Sequence, residues 1–168
     1  MRASIKQQGF TLLEMMTVVV MVAILVTIAV PSYEEYARRA SQAEAQSIML
    51  SIGEDLGRYR GKSLTFRGYT LEEGLSADNK TIYLPKGSSL SNYKYKIELV
   101  DGAVRSTSLP NSTQGQQWFM LATPNLSNQV MKKSSYMLLS SMGMRCKTKS
   151  TLTISSVNCG TGTASELW

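Results

Sequence analysis

The sequence predicts an α+β chain in which one long N-terminal helix carries an antiparallel β-sheet, and three observations predict it. Met15 to Tyr33 is a run without a single charge. Directly after it, Ala45, Ile48, Met49, Ile52, Leu56 and Tyr59 recur at three- and four-residue spacing, the signature of a helix with one apolar stripe. Finally, Tyr93 to Leu99 alternates strictly between apolar and charged residues, and further short strand-like segments follow. A sheet with one apolar face lays that face on the helix.

Composition narrows what such a chain can do. With 168 residues, setting the apolar N-terminus aside leaves roughly 100 to 130 for one compact domain. The formal charge is +6, but Arg2 and Lys6 precede the apolar run. The densest later basic cluster, Arg145-Cys-Lys147-Thr-Lys149, lacks an aromatic partner and reads as a solvated loop, not as a nucleic-acid platform. There is no histidine, and there are two cysteines. The commonest general base is therefore missing, and a structural zinc site would lack ligands. The acid pairs Glu34–Glu35, Glu54–Asp55 and Glu72–Glu73 are neighbours in sequence, so on a helix they point apart and form no catalytic dyad. No enzyme and no cofactor is implied.

The helix begins behind a short cationic leader, residues 1–9, that ends at a Gly9/Phe10 junction. The uncharged run that follows spans about 28 Å as a helix, close to the ~30 Å hydrocarbon core of a bilayer. A secretory signal peptide also starts with positive charge, but its apolar region is about 7 to 15 residues long. Arg2 and Lys6 place the N-terminus in the cytoplasm and the rest of the chain outside.

Glu14 is the exception within this greasy segment. An acid at membrane depth costs about 2.5 to 3.5 kcal/mol at a helix centre, less toward an end, and normally has a partner. Thr11-Leu-Leu-Glu14 also fits a capping box, in which the helix dipole favours the carboxylate by about 0.3 to 1 kcal/mol. Both readings stand on geometry alone. Cleavage after Gly9 would leave a protonated α-amino group one turn from Glu14, and in an axially shifted neighbour that amine could meet this carboxylate.

Pro31 removes one backbone donor and crowds the carbonyl of Thr27, so a kink or loosened turn is expected there; alternatively it marks the end of the membrane segment. Unbroken from Phe10 to Tyr59, the rod would measure about 75 Å, so half of it should protrude from a domain of this size. From Arg60 to Ser89 the chain is rich in Gly, Ser, Lys and Asp and reads as a long connection.

The first strand, Tyr93 to Leu99, places Tyr93, Tyr95, Ile97 and Leu99 on one face with Lys94, Lys96 and Glu98 on the other. Asp101-Gly102 supplies a tight hairpin turn. Further strands are expected at Val104–Ser108, Gln117–Thr123, Tyr136–Ser140, Met144–Thr148 and Thr151–Val157. Cys146 and Cys159 enclose 12 residues. In an oxidising compartment a bridge closing that loop is worth about 3 kcal/mol in the chain-entropy model; two free buried thiols are the alternative.

Gly9-Phe10-Thr-Leu-Leu-Glu14, the Val- and Ile-rich run, and Ala29-Val-Pro31-Ser-Tyr33-Glu-Glu-Tyr36 resemble the N-terminus of a type IV prepilin. Ala43-Glu-Ala45 and Asp55-Leu-Gly-Arg-Tyr59 resemble the PilE-like minor pilins. The likeness covers residues 1 to about 60 closely and the rest only in general design. It implies the type IV pilin fold, divided into a prepilin leader (1–9), a transmembrane and assembly half of the helix (10–33), an amphipathic half packed on the head (34–60), and an αβ-loop, sheet and C-terminal disulfide loop (61–168).

The resemblance further implies a prepilin peptidase that cuts between Gly9 and Phe10 and methylates the Phe10 nitrogen, and a pairing of Glu14 with the Phe10 amine of an adjacent subunit. Pro31 would lie where the helix can melt in a fibre, and Cys146–Cys159 would staple a C-terminal loop exposed on the fibre, although the tail Gly160–Trp168 extends past it. The implied partners are major and minor pilin subunits, the peptidase, an inner-membrane assembly platform and, before assembly, membrane lipid. DNA or a host surface would be met by the finished pilus, whose outputs in the family are motility, adhesion and DNA uptake. Two other readings stay open: a pseudopilin of type II secretion, and a tethered binding module that never polymerises.

Overall fold

The computed structural model describes residues 10–71, 79–156, Cys159 and Trp168. Residues 1–9 with Gly9, the Glu72–Glu73 pair, Val157 and the tail between Cys159 and Trp168 lie outside the described residues. The chain divides into two units, one ending at Tyr36 and the other beginning at Ala37.

Helix α1, Leu12–Ser63, runs through both units with Pro31 inside it. In the first unit every residue from Phe10 to Glu34 is exposed. Its two threonine hydroxyls turn inward to the helix backbone, Thr17 donating to the Glu14 carbonyl at 2.8 Å and Thr27 to that of Ile24 at 2.7 Å. Hydroxyls satisfied in this way leave the outer surface apolar. By length and composition the helix can cross a membrane.

In the second unit the helix is amphipathic. Ser41, Ala45, Met49, Ile52 and Leu56 are buried, while Ile48 and Tyr59 of the expected stripe are half-buried. Ser41 extends the stripe by one turn because its hydroxyl is satisfied locally, donating to the Ala37 carbonyl at 2.9 Å. The helix stops after Ser63, where Leu64 takes a left-handed φ of 60° and donates its amide to the Arg60 carbonyl at 2.8 Å.

Five strands follow: β1 (Thr81–Leu84), β2 (Tyr95–Asp101), β3 (Trp118–Pro124), β4 (Tyr136–Ser140) and β5 (Arg145–Thr148). They form one sheet in chain order, each antiparallel to the next. Side chains alternate between its two faces. Ile82, Leu84, Tyr95, Ile97, Leu99, Trp118, Met120, Ala122, Met137 and Leu139 share the inner core with the helix stripe. On the outer face Val100, Phe119, Leu121, Tyr136, Leu138 and Cys146 form a second cluster with Leu152. Burial on both faces explains why β3 and β4 read as nearly continuous apolar runs.

The expected strands at residues 117–123, 136–140 and 144–148 correspond to β3, β4 and β5. Five expectations are corrected. Val104–Ser108 is a turn and not a strand, and Asp101-Gly102 is no tight hairpin. Asp101 is instead the buried last residue of β2, paired with Trp118. Its carboxylate accepts the amides of Ala103 at 2.7 Å and Val104 at 2.9 Å, so a side chain takes the bonds that a hairpin ladder would have used. Thr151–Ser156 is likewise irregular: the Ser156 amide donates to the Thr153 carbonyl at 2.8 Å and closes a turn. The fourth correction is β1, which lies inside the stretch expected to be only a connection. Four residues are too short for alternation to register, and β1 is a strand because β2 pairs with it from Thr81–Glu98 to Leu84–Tyr95. Tyr93 also leaves its expected face: it precedes β2, and its ring packs on Tyr83 with centroids 5.2 Å apart.

Candidate assembly site

The N-terminal end of α1 is built around Thr11. Its hydroxyl accepts the Glu14 amide at 3.2 Å, and its carbonyl accepts the Met15 amide at 3.3 Å, which makes Thr11 the N-cap. One of the two bonds of a capping box is thereby formed. The Glu14 carboxylate has no hydrogen-bond or ion-pair partner among the described residues. Phe10, one turn earlier, is 75% exposed. Gly9, the other half of the expected cleavage junction, lies outside the described residues. Pro31 stands more than four helical turns beyond Glu14, within the exposed apolar stretch.

The remaining candidates sit in the second unit. Cys146 of β5 is bridged to Cys159, with Cα atoms 6.1 Å apart. After β5, Leu152 is buried in the second core cluster on the outer face of the sheet and Ile154 packs against it. Lys149 is exposed, whereas Lys147 is half-buried and engaged. Of the acid pairs, Glu54 and Asp55 both serve Arg58, at 3.8 Å and 3.3 Å, as ordinary helix-surface ion pairs.

Sequence reasoning missed a polar network at the far end of β2. Burial opposes the charge on Asp101, but the Ser112 hydroxyl and the amides of Val104, Ala103 and Gly115 outweigh it, and the carboxyl is held below the usual carboxylate range. The Ser112 hydroxyl in turn accepts the Gly115 amide at 2.7 Å, and the Gly115 carbonyl accepts from the Phe66 amide at 2.7 Å and the Thr65 hydroxyl at 2.9 Å. This chain of bonds fastens the segment after the helix to the end of the sheet. An Asp followed by two small residues was the available signal, since an Asx turn has the same appearance as a hairpin turn.

Comparison with known proteins agrees with this geometry. The family model described as the prokaryotic N-terminal methylation motif matches residues 5–30. The chain is 30% identical over 113 residues to a type IV major pilin protein PilE1 of Neisseria gonorrhoeae, covering 66% of this chain and 62% of that protein. It is 30% identical over 129 residues to a fimbrial protein of Neisseria meningitidis serogroup A, covering 76% and 62%. It is 49% identical over 39 residues to a fimbrial protein of Moraxella nonliquefaciens, covering 23% and 25%. The chain thus spans less than two thirds of the length of these relatives. No solved structure matches it significantly. Motif, helix-on-sheet architecture and relatives coincide: the chain carries the prokaryotic N-terminal methylation motif and is similar to type IV pilins of the PilE kind.

Proposed function

We propose that the chain is a structural subunit of a type IV pilus, trimmed between Gly9 and Phe10, methylated on the Phe10 nitrogen and packed into the fibre through α1. The observation that carries this reading is the lone Glu14 carboxylate, without a partner among the described residues, on an exposed apolar helix. Left uncompensated in lipid, such a charge is costly; the α-amino group that trimming creates on a neighbouring subunit is a counter-charge of the right sign. Before assembly α1 would hold the subunit in the inner membrane with its head in the periplasm, and a kink or melted turn at Pro31 would serve packing in the fibre. Pilin subunits, the prepilin peptidase and an assembly platform are the partners this route requires.

The subunit's abundance is a separate matter. The resemblance of residues 31–59 supports a minor subunit, one present in few copies per fibre. Relatives named major pilins favour the opposite grade. Counting the protein against the other pilins in purified fibres decides between them.

Mass spectrometry of the membrane-extracted protein tests the whole route. A mature N-terminus at methylated Phe10 is expected, and an intact Met1 in a host that has the peptidase overturns it.

A further inference from the structure

The stretch from Ser150 to Ser156 lies as a strap over the outer face of the sheet, and the disulfide at Cys159 is only one of its attachments. Arg105, half-buried in the turn after β2, supplies another. Its guanidinium sits over the Phe119 ring with the central carbon 3.9 Å from the centroid. From there its Nη1 donates to the Ile154 carbonyl at 3.4 Å and to the Ser156 carbonyl. One planar cation is thus sandwiched between the sheet and two strap carbonyls, which suits a delocalised group with several donors.

The strap is shaped to receive it. Thr153 and Ser156 close a turn on themselves, the Ser156 amide donating to the Thr153 carbonyl at 2.8 Å and the Thr153 amide to the Ser156 hydroxyl at 3.0 Å. This turn presents the carbonyls while Leu152 is buried in the second core cluster and Ile154 packs against it. Neither the guanidinium, the ring nor the carbonyls take part in thiol chemistry.

We propose that Arg105 is a second fastener of the C-terminal strap, independent of the disulfide, which keeps the strap seated when the disulfide is opened. The two fasteners hold different places. The disulfide ties Cys159 to the edge strand β5, whereas Arg105 reaches from the β2–β3 connection to the middle of the strap, 49 and 51 residues away in sequence. Opening either one leaves the other, and Phe119, Leu121 and Leu138 stay covered until both are gone.

Hydrogen exchange of the full-length protein in detergent, read by mass spectrometry on peptides covering residues 150–156, tests this with and without dithiothreitol. Reduced wild type is expected to exchange on the order of tenfold more slowly there than reduced Arg105→Met, since a cation over an aromatic ring and two charged hydrogen bonds are lost. Oxidised Arg105→Met should keep most of its protection, and Arg105→Lys, with its charge but a poorer fork, should fall between. Equal exchange in the two reduced proteins overturns the proposal. Should Arg105→Met not fold, wild type alone decides: a strap that exchanges as fast as an unfolded chain on reduction overturns it, and retained protection supports it.

Discussion

The hydroxyl of Tyr95, a wholly buried residue of β2, donates to the Ser135 carbonyl at 2.8 Å, joining the second strand to the segment that enters β4. β3 lies between those two strands, so the bond spans the sheet along its inner face. Tyr95→Phe should keep the ring packing and lose the bond, at a cost of about 1 to 2 kcal/mol in chemical denaturation.

The same residue makes stability depend on alkaline pH. Burial pushes the Tyr95 hydroxyl up to about 12, against weaker opposing contributions from Ser134, Gln42 and Arg38. The folded state therefore holds the proton through a range, from about 10 to 12, where the unfolded chain releases it. That contribution, on the order of 2 to 3 kcal/mol, is fully present below pH 10 and is lost as pH rises toward 12. The stability gap between wild type and Tyr95→Phe should narrow over this range, and a constant gap from pH 8 to 12 would be the contrary result.

Asp101 should act at the other end of the scale. Because its folded carboxyl is held below the usual range, its contribution is present above about pH 4 and lost as pH falls through the folded value. Asp101→Asn keeps an acceptor for the Ala103 and Val104 amides but weakens the bond from Ser112, at about 1 to 2 kcal/mol near neutrality. Acid titration of unfolding should bring the two proteins together below pH 4.

Gly115 and Gly143 both have left-handed φ, 58° and 80°, but they differ in surroundings. A Cβ at Gly115 would stand 2.5 Å from the Arg67 amide nitrogen and 2.7 Å from the Thr65 hydroxyl, whereas at Gly143 nothing lies within 4 Å. Gly143→Ala should cost about 1 kcal/mol, the conformational penalty alone. Gly115→Ala should cost about 2 kcal/mol or more, because it also displaces backbone. Thermal unfolding of the pair reads the difference directly.

For assembly, Glu14→Gln should leave membrane insertion and leader removal intact while depleting the protein from sheared fibres, since the amide offers no counter-charge. Wild-type amounts in the fibre fraction would contradict this. Gly9→Val should block trimming, visible as the slower mobility of an uncut chain in a host with the peptidase.

Much of this was legible along the chain because the signals were local. The Gly9–Phe10 junction, the acid at Glu14 and the uncharged run lie within three dozen residues, and the helix stripe from Ala45 to Leu56 follows from a period of 3.6. β4 was readable because Tyr136 to Leu139 is a short apolar run bounded by serines, and β5 because Met144, Cys146 and Thr148 alternate with Arg145 and Lys147. Local pattern failed at Asp101, where a turn-forming dipeptide became a buried anchor, and at Thr81–Leu84, where a strand exists by virtue of its neighbour.

By itself the sequence determined the helix, its apolar first half, its single acid and the alternation that builds the inner face of the sheet, because each is a repeat set by backbone geometry. Only tertiary structure decided that both faces of the sheet are covered, that Asp101 ties its end to the segment after the helix, and that Arg105 meets the strap some fifty residues on. Those contacts join positions with no common spacing; they arise where the folded backbone brings a donor, a ring and a carbonyl to one place.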